Sequence, residues 1–519
     1  MARAARWSLL LLLFAAPAAA QEGIGLRDAS FREIAAYSTA APVATRVYSP
    51  DGAGPRLGLT RPDVAWVDFG TMPDAFAQDT LAWAPDKKRF GMALAEIGLA
   101  LAAPYIVNRY IIDEEWAHVG PDSWRENLTN PWVWDDDMFI TNQFAHPYHG
   151  NMYFNAARSN GYGFWTSSAF TAFGSWTWEI FGETNAPAIN DMISTTMGGM
   201  AFGEVTHRLA NMVRDNTKTG SGRTWREIGG FLIDPMGGFS RMTRGELGKV
   251  RGNDPDRLPS RFAITVSGGA QVVANKIPGE GTDETGQFVA SAEMVYGNPF
   301  VDTVAKPFST FRAIIDIATN NAFAIQRLNY EGALLGQTKH GDGEQGSHFL
   351  MLTQRYLYFK NPALEFGGVA LNGKYGKLWV HSDNWATLVE AGGGWVVLGA
   401  MPSDILLPEG RDYDFTTGGN VVLEGSVLHQ GRPFLRINGQ SAYLDVVDGS
   451  AQNHVINAGS ATLYAPIRGR MSAGLLWLGF WRSSNYADRT DNGHANQVRL
   501  FGSWSFGYSR SPMKAAQEQ

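Results

Sequence analysis

Two spacings of apolar side chains divide the chain. Between about residues 91 and 213 they recur at helical intervals, and from about residue 258 they alternate with polar residues. Pro147 suits the first turn of a helix that runs to Asn160, where Asn160-Gly161 is a stop signal. A second helix is predicted from about Tyr162 to Glu183, and a third from Pro187 to about Arg214. At about 100° per residue, Ser168, Thr171, Ser175 and Glu179 form one narrow polar stripe on the second helix. Phe164, Trp165, Phe170, Phe173, Trp176 and Phe181 cover much of the rest. Such a helix is either buried nearly all round, or turns its stripe to partner helices and its aromatics to lipid. Thr195, Gly199 and Gly203 recur every four residues in the third helix, which predicts close backbone approach. The run "GMALAEIGLALAAPYIV" (91–107) is broken by Glu96 and Pro104 and reads as a buried helix.

In "QVRLFGSWSFGYS" (497–509), Val498, Leu500, Trp504, Phe506 and Tyr508 share one face, opposite Arg499, Ser503 and Ser505. In "FLRINGQSAYL" (434–444), Leu435, Ile437 and Tyr443 oppose Arg436, Asn438 and Gln440. Alternation alone also suits a soluble sandwich. These segments, however, are long, recur as hairpins almost to the end of the chain, and carry aromatics near their ends, as in "RYLYF" and "LLWLGFW". That combination predicts a barrel with a lipid-facing apolar exterior and a polar lumen. The expected fold is α+β: a helical domain at 91–255, then an antiparallel transmembrane β-barrel of about 12 strands at 256–509, then a tail at 510–519.

The N-terminal end sets the compartment. Arg3 and Arg6 precede the apolar "WSLLLLLFAA", and Ala18 and Ala20 precede a cleavage site at Gln21, so residues 1–20 read as a signal peptide. Residues 21–90, with many Pro, Gly and Ala, read as an extended periplasmic lead-in. The chain has no cysteine, so it folds without disulfides. A net charge of −7 without a long basic run argues against nucleic acid as a partner. The expected location is the outer membrane of a Gram-negative bacterium, with outer-membrane lipids and the barrel assembly machinery as partners. The helical domain is expected at, or partly inside, the periplasmic mouth.

Candidate chemistry concentrates in "NQFAHPYHGNMYFNAARSNGYGFW" (142–165) and the two helices after it. If the helices pair antiparallel about residue 185, Glu179 and Glu183 approach Asp191, and Glu204 and His207 approach Arg158. Asp191 and Glu204 are thirteen residues apart on one helix, roughly 20 Å, so they do not share a site. Glu204-x-x-His207 has the spacing of a di-metal ligand pair but lacks a matching second pair, so neither a metal nor another cofactor is expected. Glu204 with Arg158 reads instead as a buried ion pair in a structural role. Asp135, Asp136 and Asp137 could bind a cation, but carboxylates capping and charging a helix start account for them, and His146 before Pro147 reads as a further cap. Asn151, Asn155 and Arg158 form a ridge for a phosphate or a partner helix. No GxSxG elbow, Walker loop or HExxH is present.

The run "WDDDMFITNQFAHPYHGNMYFNAARSNGYGFW", followed by "GSWTWEIFGE", "PAINDMISTTMGG" and "GEVTHRL", resembles the signature of a bacterial family, domain of unknown function 3943. The resemblance spans about residues 91–215 and implies an exported envelope protein without supplying an activity. The chain therefore reads as an outer-membrane barrel with an envelope role. The alternatives are an envelope enzyme acting on lipid or lipopolysaccharide, or a transport or scaffold protein. For chemistry the candidates are His146, His149, Arg158 and Glu204; for ligand binding they are Asn151, Asn155, Glu179 and Asp191.

Overall fold

A computed structural model describes Leu81 and residues 86–509, apart from 278–280, 301–303, 305, 320–323, 340–345, 362–363, 383, 404 and 408–409. The signal peptide, nearly all of the lead-in and the tail lie outside the described residues. Helices come first: α1 (Phe90–Ile106), α2 (Pro121–Thr129), α3 (His146–Ser159), α4 (Phe164–Phe181), α5 (Ile189–Ile193), α6 (Gly199–Val213), α7 (Gly220–Ile233) and α8 (Pro235–Thr243). Wider π turns extend three of them: Val107–Ile112 after α1, Thr141–Ala145 before α3, and Ser194–Gly198 between α5 and α6.

Twelve strands follow: β1 (Arg261–Ile277), β2 (Gly281–Tyr296), β3 (Phe311–Ala318), β4 (Ile325–Lys339), β5 (Ser347–Asn361), β6 (Leu364–Val380), β7 (Trp385–Pro402), β8 (Tyr413–His429), β9 (Arg432–Asp448), β10 (Asn453–Arg468), β11 (Met471–Asn485) and β12 (Thr490–Ser509). Each is antiparallel to its neighbours, and β1 pairs with β12 from Arg261↔Ser509 to Lys276↔His494, closing the barrel. Closure leaves no sheet edge, so the backbone donors and acceptors of the wall pair within it. We call the end where β1 begins and β12 ends proximal, and the other end distal.

Alternation decides what each strand presents. Arg355, Leu357 and Phe359 of β5 line the lumen, together with Arg436, Asn438 and Gln440 of β9 and Arg499 and Ser503 of β12. Outward-pointing Val421, Leu423, Ile437, Leu463, Val498, Leu500 and Trp504 are exposed. An exposed apolar surface of this extent is unfavourable in water and suits lipid.

The lumen is filled in three tiers. Proximally, Phe300 and Val304 of the β2–β3 connection fold in against Phe349, Leu378 and Leu428. In the middle, Arg312 binds Glu293 of β2 at 2.8 Å and Glu424 of β8 at 2.9 Å, and Arg436 of β9 binds Glu293 at 2.9 Å. Distally, Phe359 stacks on Phe480 amid Phe366, Ile456 and Leu478. A cavity of ≈ 160 Å³ remains among these groups.

The helical domain does not sit at or inside the mouth, as the sequence led us to expect. It lies along the outer wall. Gln354, Tyr356 and Tyr358 alternate with the lumen-lining residues of β5, so they point outward, and they meet helices. Gln354 donates to the Met197 carbonyl at 2.6 Å, the Tyr356 hydroxyl reaches the Gln143 carbonyl, and Tyr358 packs on Phe144. The segment from Ile189 to Val213 runs the length of the wall. Near its distal start, Tyr413 donates to the Asp137 carbonyl and accepts from Asn142, a partner of Asn190. Halfway along, Tyr330 stacks on Phe202, and at the proximal end Arg208 donates to the Pro307 carbonyl. Outward aromatics on β2–β8 and apolar helix faces bury one another there, which a mouth position would have left exposed.

The helix Phe90–Ile112 also departs from expectation. It is long and apolar enough to cross a membrane, continues through Pro104, and is mostly exposed on the outer side of the bundle. Glu96 does not break it, because the carboxylate turns inward to Asn160 Nδ2 at 2.8 Å.

Candidate functional site

The predicted site residues separate into two layers at opposite ends of the bundle. Proximally, Arg158 grips Glu204 with two hydrogen bonds, Nε to Oε2 at 2.7 Å and Nη2 to Oε1 at 2.9 Å. The pair has a third member that the sequence reading did not include: Arg208, one turn along α6, reaches Oε1 at 2.8 Å. A carboxylate held between two guanidiniums is a structural clamp and a poor proton acceptor. Asn151 and Asn155 join it to α6. Asn155 donates to Asn151 Oδ1 at 2.9 Å and to Thr206 Oγ1 at 3.0 Å, and Thr206 donates to Asn151 Oδ1 at 2.8 Å. Of the two readings of this ridge, it holds a partner helix.

His149 is likewise satisfied. Its Nε2 lies 3.0 Å from the Ala100 carbonyl and 2.9 Å from the Tyr153 hydroxyl, and its ring packs against Trp178.

The distal layer is different. His146 makes no helix cap; α3 is preceded by Ala145, which makes no side-chain cap either. Instead the imidazole turns into a group of carboxylates, with Nε2 3.2 Å from Asp191 Oδ1 and 4.0 Å from Asp137 Oδ2, and Nδ1 3.2 Å from Thr195 Oγ1. Asp135 and Asp137 do not cap a helix as expected: Asp135 accepts from the Asn142 side chain at 2.8 Å. Asn190 donates to Asp191 Oδ1 at 2.8 Å and accepts from the Asp135 N–H at 3.1 Å. Glu179 accepts from the Ala188 N–H at 2.9 Å. Two π turns adjoin this layer: Thr141–Ala145 carries Asn142, which faces Asp135, and Ser194–Gly198 carries Thr195, which faces His146.

This layer is level with the β7–β8 connection, where Arg411 donates to the Asp135 carbonyl at 2.8 Å. Burial pushes the Asp191 carboxyl well above the usual carboxylate range, and the facing Asp135 and Glu179 push it further. Burial does the same to Glu183 in the α4–α5 turn, helped by Glu179 and Asp137. Among the described residues, the ion pairs of Asp137 and Asp191 are with His146, and none ties Asp135, Glu179 or Glu183 to a lysine or arginine. The ion pairs of these carboxylates are thus with one imidazole, while Arg411 beside them pairs with Asp448.

Sequence reasoning missed a third arrangement. In the distal lumen His454 Nε2 lies 3.0 Å from Asp414 Oδ2 and Nδ1 lies 2.8 Å from Ser484 Oγ. The order resembles a catalytic triad, but all three residues are 0% exposed, and Asp414 also takes the Ser450 and Ala451 N–H groups. Among the described residues it is a fully buried hydrogen-bonded network that ties β8, β10 and β11 together. The three residues are far apart in sequence and on three strands, so no local signal marks them.

No curated protein sequence matches the chain. Among solved structures it is similar to the Pseudomonas putida toluene transporter TodX, at 8% identity and a TM-score of 0.19, over 48% of this chain and 90% of that one. It is similar to the NanC porin at 9% identity and a TM-score of 0.22, over 44% and 98%. With the outer-membrane channel DcaP of Acinetobacter baumannii the identity is 10% and the TM-score 0.21, over 47% and 97%. The barrel described above rests on this chain's own closed strand order and not on these likenesses. The motif has firmer company: residues 131–236, from just before the Asp135–Asp137 run to the start of α8, match the family described as Domain of unknown function (DUF3943).

Proposed function

We propose that the protein resides in the outer membrane, that its barrel is a sealed anchor and not a diffusion pore, and that its envelope role is carried by the helical domain on the barrel wall. The three-tier filling of the lumen supports this reading most directly. An aqueous channel needs a continuous polar path, whereas here charged groups bridge the lumen between two apolar tiers. The exposed apolar exterior supports insertion in lipid. The test is planar-bilayer recording of the purified, heat-modifiable protein. The expected result is no stable conductance step; a reproducible open channel would return the protein to the transport class.

The distal layer favours one second reading, an enzyme acting on envelope lipid or lipopolysaccharide. His149, Arg158 and Glu204 are engaged in packing, which leaves His146, with Asp191 and Glu179 beside it, as the group able to move a proton. Lipid mass spectra of a deletion strain complemented with His146→Gln would show the accumulated substrate if this reading holds, and the complemented profile if it does not.

A further inference from the structure

We propose that the distal layer is a binding site for one divalent first-row transition cation, held by Asp135, His146 and Asp191. The proposal goes beyond the outer-membrane reading and departs from the absence of metal expected from the sequence. That expectation weighed Glu204-x-x-His207 with His146-x-x-His149 as a partial second pair, and set a cation at Asp135–Asp137 below helix capping, whereas this donor set joins Asp135, His146 and Asp191 from three separate segments.

One ring nitrogen of His146 and one carboxylate oxygen each from Asp135 and Asp191 lie within 4.8 Å of one another. Donors around a zinc or manganese ion, with bonds of about 2.0–2.2 Å, are separated by about 3–4.4 Å, so small side-chain movements suffice to close the shell. One nitrogen with carboxylate oxygens is a borderline donor set, which zinc or manganese accepts more readily than a soft, thiolate-seeking ion does.

Each donor residue also has a hydrogen-bonding neighbour. Thr195 fixes the far ring nitrogen of His146, which leaves Nε2 to face the carboxylates. Asn142 holds Asp135 and Asn190 holds Asp191. Hydrogen-bonded support of this kind behind every ligand is characteristic of built metal sites.

Charge gives the independent argument. Asp191 is 3% and Glu179 1% exposed, and the ion pairs available to the group among the described residues come from one imidazole. A divalent ion where the Asp135 and Asp191 oxygens meet the His146 nitrogen would offset the charge of both carboxylates. Three protein ligands leave room for water in its shell, as in sites that go on to do chemistry.

The test uses the full chain in detergent, stripped with EDTA and titrated separately with Co²⁺, Zn²⁺ and Mn²⁺. We expect about one equivalent of Co²⁺ with visible d–d absorption, displaced by Zn²⁺. Binding should be lost in Asp191→Asn and His146→Gln, and weakened about 10- to 100-fold in Thr195→Val, which keeps all three donors. His118→Asn, which removes the exposed His118–Asp113 pair, should bind as wild type does. If the donor variants lose heat-modifiable migration and are misfolded, the wild-type stoichiometry and Thr195→Val decide. Failure of the wild type to bind any of the three ions at near one equivalent overturns the proposal. Binding that survives Asp191→Asn and His146→Gln in folded protein, or that disappears with His118→Asn, does so equally.

Discussion

Glu204 shows how one residue's energetics depend on how many partners it has. Removing it in Glu204→Met leaves two guanidiniums, Arg158 and Arg208, facing a buried position that was 0% exposed. That should cost about 3–5 kcal/mol. Arg158→Met leaves the carboxylate paired with Arg208, so the loss is closer to that of charged hydrogen bonds, about 1.5–3 kcal/mol. Thermal unfolding of the detergent-solubilised variants should therefore rank Glu204→Met well below Arg158→Met. Equal losses would mean that Arg208 does not compensate. The Arg158–Glu204 contact was legible in the sequence, because antiparallel pairing about a turn near residue 185 brings those positions together. Arg208 was overlooked although it lies four residues beyond Glu204, the spacing of one helical turn.

At the scale of elements, the packing of α3 on α6 rests on glycine at both faces. A Cβ on Gly150 would come within 1.9 Å of the Thr195 carbonyl oxygen, and one on Gly199 within 2.5 Å of Gly150 Cα. Backbone on both sides leaves nothing flexible to give. Gly150→Ala should push the helices apart and cost about 1–3 kcal/mol. On α1, Gly98 has open space around it, so Gly98→Ala should be neutral or stabilising by about 0.5–1 kcal/mol through helix propensity. Denaturation of the pair checks both signs. The same reasoning explains α4. Thr171, Ser175 and Glu179 turn to the partner helices and are buried, Phe164 is buried too, and Trp165, Phe173, Trp176 and Phe181 are exposed.

For the whole molecule, the consequence of a wall-docked domain is a difference between two outward positions of the barrel. Val421 on β8 is 60% exposed, whereas Val369 on β6 is 3% exposed beneath the helices. In lipid vesicles, a lipid-soluble photoactivated carbene reagent, which inserts into C–H bonds without needing an ionised group, should label the β8 segment around Val421 and spare the β6 segment around Val369, as read by mass spectrometry. Comparable labelling of both would place the domain away from the wall and restore the mouth position.

Local order follows from near neighbours in the chain, and there the sequence was sufficient. The period-two alternation around Arg436–Asn438–Gln440 and Val498–Leu500 foretold strands, lumen and exterior, and the Pro147 and Asn160-Gly161 signals placed α3 within a residue at each end. Placement of the helical domain is different, because outward aromatics such as Tyr330, Tyr356 and Tyr413 satisfy the same alternation whether lipid or a helix covers them. Only tertiary packing distinguishes the two. The distal layer has the same origin. Asp135, His146 and Asp191 come together from three segments of the fold, beside two π turns and against a barrel wall that supplies Tyr413 and Arg411 as anchors. A π turn adds one residue to a helical repeat without a distinctive sequence mark, so that convergence was decided by the fold.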